Sequence, residues 1–376
     1  MSISPSDVHR RAIIVDGHCD TPYRLFRHNV HVDEHDTEAQ ADLKTLQASG
    51  ITASFFAAYV PPFYADRGAA QFARKLITLI RDEAARRPDA LTFAVDSEGI
   101  RAAKRENKVA LMIGVEGGHA IEDSLDILRE FHESGARYLT LTHVNTNNWC
   151  DSSGDAKKHG GLTEFGREVV STMNDLGMIV DISHVSDDAY RHVIETTRVP
   201  VVATHSSART LCNHPRNMTD DMLRALAKNG GVCMVNFFSA FISNEVAQVI
   251  IKAGKKKKED QALAGGLGGT EEMPDDRTDW DSYLQWFLSL GSPTATLEQV
   301  ADHIFHIANV AGIDHVGIGS DFDGVPSLPR GLETAAGLPA LTARLLERGM
   351  SSGDVEKVLG GNFMRAFGEI EKGRRT

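Results

Sequence analysis

The sequence predicts a (β/α)8 TIM barrel, an α/β fold. Three observations carry that reading: eight short apolar runs, helical patterns between them, and no GxGxxG turn after the first run. A nearly continuous apolar run is the mark of a parallel strand buried on both faces. Alternating run and helix calls for right-handed crossovers, and eight units favour closure over an open doubly wound sheet.

In chain order the runs are AIIVDGHCD (12–20), ASFFAAYV (53–60), VALMIGVEGG (109–118), ARYLTLTH (136–143), MIVDISH (178–184), VVATHS (201–206), GGVCMVNFF (230–238) and HVGIGSDFDG (315–324). Helical patterns occupy 122–134, 163–176, 186–196, 218–229 and 295–311. The run LTFAVDS (91–97) reads as an extra strand between the second and third units. Residues 240–294 break the rhythm with a lysine run (255–258), the stretch AGGLGG and the segment EEMPDDRTDWDSYLQWF. They read as an insertion after the seventh strand, either a solvated loop or a lid or dimer contact at the catalytic mouth. The whole chain, 1–376, is then one barrel domain.

At 376 residues and 41% hydrophobic content the chain can bury a large core. Its 40 basic and 52 acidic residues give a formal net charge of −12, which excludes nucleic acid and anionic membrane as partners. Cys19, Cys150, Cys212 and Cys233 form no CxxC pair, so a zinc knuckle or redox motif is not expected. No basic-then-apolar leader and no apolar run of about 18–20 residues is present, so the chain is expected to be cytoplasmic.

The polar residues that end the runs carry the chemistry: His18 and Asp20, Tyr59, Glu116, His143, His184, His205, Asn236, and Asp321 with Asp323. In a barrel these ends meet at one face. Imidazoles with carboxylates there form a donor set suited to zinc. His18 and Asp20 are two apart on a strand and face one side, so both can reach one ion, while Cys19 points away. Glu116 can bridge two ions, one oxygen to each, and His184 and His205 can complete the second. Two ions sharing a carboxylate also share a water and lower its pKa. Singly, each residue has a plainer role, as a hydrogen-bonded strand end, a helix cap at Glu116 or a loop turn at Asp321 and Asp323. Five of them together are hard to explain that way, because buried charged groups need partners. His28, His31 and His35 fall in a polar stretch and are expected at the surface. His119 is placed behind the ligands, and Cys212 and Cys233 in the core.

The segments VDGHCDTP, GVEGGHAIED, ARYLTLTHVNTNNW, GLTEFGREVV, MIVDISHVSD, THSSARTLCNHPRNMTDD and HVGIGSDFDGVP resemble the membrane dipeptidase (renal dipeptidase-like, M19) family of the amidohydrolase superfamily. They run from the first strand to the last, with 240–294 least covered. The resemblance implies a metal-dependent hydrolase that cleaves dipeptides, L-Xaa-D-Xaa included, with two zinc ions per chain. His18 and Asp20 would hold one ion, His184 and His205 the other, and Glu116 both. It further implies that His143 polarises the scissile carbonyl and that Arg216 grips the substrate's terminal carboxylate, a task suited to a guanidinium fork. Asp321 would carry the proton from a bridging hydroxide to the leaving amine, and Tyr23 and Tyr59 would line the pocket. A homodimer is also implied. Pro62 stands where animal members have a cysteine, so their disulfides are not expected here. Two other readings stay open: a lactonase- or deacylase-like activity on the same metal site, and a non-catalytic metal-binding protein. Neither a GxSxG elbow nor an HExxH helix is present.

Overall fold

The computed structural model of the chain describes residues 4–34, 38–263 and 276–375, with the side chains of 255–263 and 276–281 left out. Among the described residues nine parallel strands form: β1 Val15–Cys19, β2 Ala53–Tyr59, β3 Leu91–Phe93, β4 Val109–Glu116, β5 Ala136–Thr140, β6 Ile179–Asp181, β7 Val202–Ser206, β8 Val232–Val235 and β9 Val316–Ile318. Eight close a ring in the order β1-β2-β4-β5-β6-β7-β8-β9 and back to β1, the (β/α)8 barrel that the sequence predicts. The ninth, β3, is the extra run, shortened to three residues. It pairs with Val109–Leu111 of β4, while β5 takes the same strand from Ile113 onward. One edge of β4 thus serves two partners in succession.

Side chains alternate across a strand, so each strand feeds both the barrel interior and the layer under the helices. Phe55, Ala110, Met112, Tyr138, Ile179, Val202, Val232 and Met234 form one apolar cluster that continues into Phe363 and Phe367 of the C-terminal helix Asn362–Lys372. Their neighbours Phe56, Leu111, Ile113, Cys233 and Val235 belong to the outer cluster. In three places the alternation is broken, one of them in β5, where Ala136 belongs to the outer cluster, Tyr138 to the inner one, and the register against β4 shifts between Ile113 and Gly114. Val15 belongs to the inner cluster and Cys19 to the outer one, and the pairing register of β1 shifts between Asp16 and Cys19. The register of β7 shifts in the same way between Ala203 and Ser206. The irregularities of β1 and β7 re-aim the histidines His18 and His205 toward the axis, a common use of a bulge beside a site.

Gly114 occupies an inward position of β4 because nothing larger fits. A Cβ there would lie 1.8 Å from Cζ of Tyr138, whose ring crosses the barrel. Gly114→Ala is therefore expected to lower stability by about 1–3 kcal/mol through overpacking. Urea unfolding checks this, and an unchanged midpoint would refute it.

The surrounding helices begin where a side chain can cap the first amide groups. Thr163, Ser186 and Thr219 cap Glu164–Leu176, Asp187–Thr196 and Asp220–Asn229. Gly177 and Gly230, both at positive φ, end the first and last of these. Between β8 and β9 the described residues form the α-helices Ser239–Ile242, Asn244–Leu263, Asp276–Ser289 and Leu297–Ala311. The AGGLGG stretch lies outside the described residues. A loop was one expectation for this segment, yet Tyr283, Trp286 and Phe287 sit at helical spacing, and Phe287 is buried against Phe238. Among the described residues no helix is long and apolar enough to cross a membrane. The four cysteines are unpaired and buried.

Candidate metal centre at the barrel mouth

The ring places the ends of its strands around one cavity of about 340 Å³, lined by Asp20, Tyr23, Tyr59, Glu116, His143, His184 and Asp321 among others. Glu116 ends β4 in regular alternation from Ala110 and Met112, so its carboxylate reaches the axis from a rigid strand. Its Oε2 lies 3.5 Å from Nε2 of His18, and its Oε1 lies 3.3 Å from Nε2 of both His184 and His205. The latter two nitrogens are 2.9 Å apart. Asp20 Oδ2 is 3.3 Å from His18 Nε2. Asp321 Oδ1 is 3.9 Å from the same nitrogen.

Among the described residues, three groups of such donors could hold a metal ion: His18, Glu116 and His205; Glu116, His143 and His184; His18, Asp20 and Asp321. In each, the donor atoms lie within 4.8 Å of one another. These groupings cross the pairing expected from the resemblance, since His205 stands with His18 and His184 with His143. The short contact between His184 and His205 joins the two arrangements.

Several observations show that the residues fit a cation. Oδ1 of Asp20 is buried with no hydrogen-bond partner. A Cβ on Gly324 would lie 2.0 Å from Asp20 Oδ2 and 2.6 Å from Asp321 Oδ1, so only glycine lets both carboxylates approach. Burial, reinforced by the Arg216 charge, holds His184 well below the ordinary histidine range. Burial and the neighbouring His18 do the same to His205. Both rings are therefore neutral and have lone pairs to offer. Burial opposes a charge on Glu116, yet the charge on His18 beside it keeps it ionised, well below the usual carboxylate range.

Groups behind these residues fix their orientation. The Thr204 hydroxyl donates to Asp181 Oδ2 at 2.7 Å, so it accepts from Nδ1–H of His205 at 2.8 Å and leaves Nε2 with the lone pair. Asp181 also accepts from the Thr140 hydroxyl at 2.6 Å and from the backbone amides of Ser183 and Thr204. Tyr138 Oη is 2.7 Å from His18 Nδ1. Asn236 Nδ2 donates to Asp321 Oδ2 at 2.7 Å, turning Oδ1 toward the cavity. His184 and Asp321 both take positive φ, 69° and 65°. Strain at non-glycine residues of this kind gathers at functional sites.

The remaining predicted residues fall as follows. Tyr59 packs edge-on between His143 and Tyr23, with ring centroids 4.8 and 5.2 Å away. Arg216 is buried behind the wall, its Nη2 donating to the His205 carbonyl at 3.0 Å and its Cζ 5.2 Å from the Phe241 ring centroid. Its Nε is buried with no acceptor. Asp323 faces away from the cavity, accepting from Thr21 at 2.6 Å and pairing with Arg24. His119 is buried against the Pro61 carbonyl at 3.3 Å. His28 and His31 are half-buried rather than exposed, since His31 binds Glu83, and His35 lies outside the described residues.

Sequence reasoning gave no role to Tyr138, Thr204, Asp181, Asn236 or Tyr283. Asn236 was visible as a strand end. Tyr138 and Asp181 sit at inward positions of β5 and β6, where a polar residue inside an apolar run is a signal. Tyr283 comes from outside the ring and left no such mark.

A closed parallel barrel that gathers imidazoles and carboxylates at its mouth carries a donor set that fits a cation. The family model for membrane dipeptidases (peptidase family M19) matches residues 4–376, and the chain belongs to that family. Dipeptidase 3 of Rattus norvegicus is 34% identical over 371 residues, covering 96% of this chain. The chain spans 66% of that relative's length. The crystal structure of the probable dipeptidase PvdM from Pseudomonas aeruginosa matches with TM-score 0.85 and 26% identity, over 98% of both chains. A dipeptidase described as a metallopeptidase of family M19 matches with TM-score 0.78 and 25% identity, over 95% of this chain and 98% of its own.

Proposed function

We propose that the chain hydrolyses the amide bond of dipeptides, L-Xaa-D-Xaa included, with two zinc ions held by His18, Asp20, Glu116, His184 and His205. The observation that carries the reading is the two-sided Glu116 carboxylate, one oxygen toward His18 and the other toward His184 and His205. Bound there, the ions would lower the pKa of a water and polarise a carbonyl. Residues 1–376 are read as one barrel domain carrying 240–294 as an insertion.

The chain's own groups supply the rest. A cavity of about 340 Å³ suits a small ligand and not a polypeptide. Arg216 receives the substrate carboxylate, which gives its unpartnered Nε an acceptor. Burial holds His143 down at about 4, so the ring is neutral at pH 7 and presents one N–H to the carbonyl oxygen as charge develops there. Burial raises Asp321, which suits a carboxylate that takes a proton from the attacking water and delivers it to the departing nitrogen. Asn236 holds the other oxygen of that carboxylate still.

The purified chain is expected to contain about two zinc ions, to cleave dipeptides, and to lose and regain activity on chelation and zinc return. Elemental analysis and a panel of L-Xaa-L-Xaa and L-Xaa-D-Xaa substrates check this. A zinc-loaded chain that cleaves none of the panel would sink the dipeptidase reading.

A further inference from the structure

The helix Asp276–Ser289 belongs to the connection between β8 and β9 and adds no strand to the ring, yet one of its side chains reaches the cavity. Phe287 anchors it, 4% exposed and with its ring centroid 6.0 Å from that of Phe238. Tyr283 stands four residues earlier, on the same face of the helix. It stacks on Trp286 at 5.8 Å and lines the cavity beside Phe238 and Phe241. Tyr23 and Tyr59 line the same cavity. Burial pushes the Tyr283 hydroxyl up to about 12, so the ring enters the wall neutral.

Phe241 gives this wall a direction. The Arg216 guanidinium lies over its ring. If Arg216 holds the substrate carboxylate, the aromatic wall flanks the residue that bears that carboxylate. We infer that Tyr283, with Phe238 and Phe241, forms the subsite for the side chain of the C-terminal residue of the dipeptide and selects apolar over absent side chains there. The inference rests on the dipeptidase reading and deepens it. An aromatic wall removes apolar area from water, and the gain grows with the side chain it covers. One such contact separates related substrates by about 10–200-fold.

The test compares L-Ala-Gly, L-Ala-L-Leu and L-Ala-L-Phe on the zinc-loaded full chain, for the natural sequence, Tyr283→Ala and Tyr283→Phe. Tyr283→Ala is expected to lower the kcat/KM ratio of L-Ala-L-Phe to L-Ala-Gly by about tenfold, chiefly through KM, and Tyr283→Phe to keep the ratio. A second readout is calorimetric binding of the uncleaved reduced-amide analogues of the same dipeptides. Their order of affinity should shift in Tyr283→Ala as the KM values do. An equal change on all three substrates, or none, overturns the subsite while leaving the dipeptidase reading intact. A natural chain that cleaves none of the three overturns that reading and the subsite with it. Circular dichroism melting of both variants separates a lost contact from a lost fold.

Discussion

Glu116→Gln is expected to abolish turnover and to empty the site together, lowering kcat/KM by a thousandfold or more, on the order of 4 kcal/mol. The carboxylate is shared, with one oxygen beside His18 and the other beside His184 and His205. An amide keeps the shape but turns one of those oxygens into a donor, and it removes the negative charge that two proposed cations would need. A substitution at a single-ion ligand would spare the other ion, whereas this one weakens both. Elemental analysis of the purified variant reads the metal, and the dipeptide panel reads turnover. A Glu116→Gln chain with full zinc content and ordinary activity would show that the carboxylate is not shared.

Asp321→Asn separates chemistry from metal. Asn236 already fixes one Asp321 oxygen, and an amide can keep that contact by presenting its own oxygen to Asn236 Nδ2. Metal content is expected to hold while kcat falls by about a hundred- to ten-thousandfold, the range for removing a proton carrier, with KM little changed. Steady-state kinetics on a zinc-replete sample measures the split. Loss of zinc in Asp321→Asn would instead make Asp321 a ligand, as its place beside His18 and Asp20 also allows.

The fold was legible because its signal is repeated eight times. Each of the eight runs contains or overlaps a ring strand, and even the extra strand at 91 left an apolar trace. The strand-end rule then named residues that line the cavity, since strand ends in a barrel converge whatever the helices do. The rule is blind to which way a residue faces. Counting by twos from Val15 sends Gly17 and Cys19 inward, whereas His18 is the residue that arrives. The i, i+2 spacing did put His18 and Asp20 on one side, but the register shift that chooses the side has no residue signature. Asp323 shows the converse. It ends the same run as Asp321, but Thr21 and Arg24 capture it, and those partners lie about 300 residues away in sequence. Tyr283 was illegible for a third reason, because its place depends on how a helix outside the ring docks.

The shifted registers of β1 and β7 mean that the donor set depends on the phase of two strands as well as on the choice of residues. Shortening β1 by one residue within its bulge, with no side chain of the site replaced, would restore even pleating. Without Gly17, His18 would stand two places after Val15, so the evenly pleated strand would still send the imidazole inward and Cys19 outward. Length and phase are thus coupled in this strand, a dependence that comparing residue identities at aligned positions would miss.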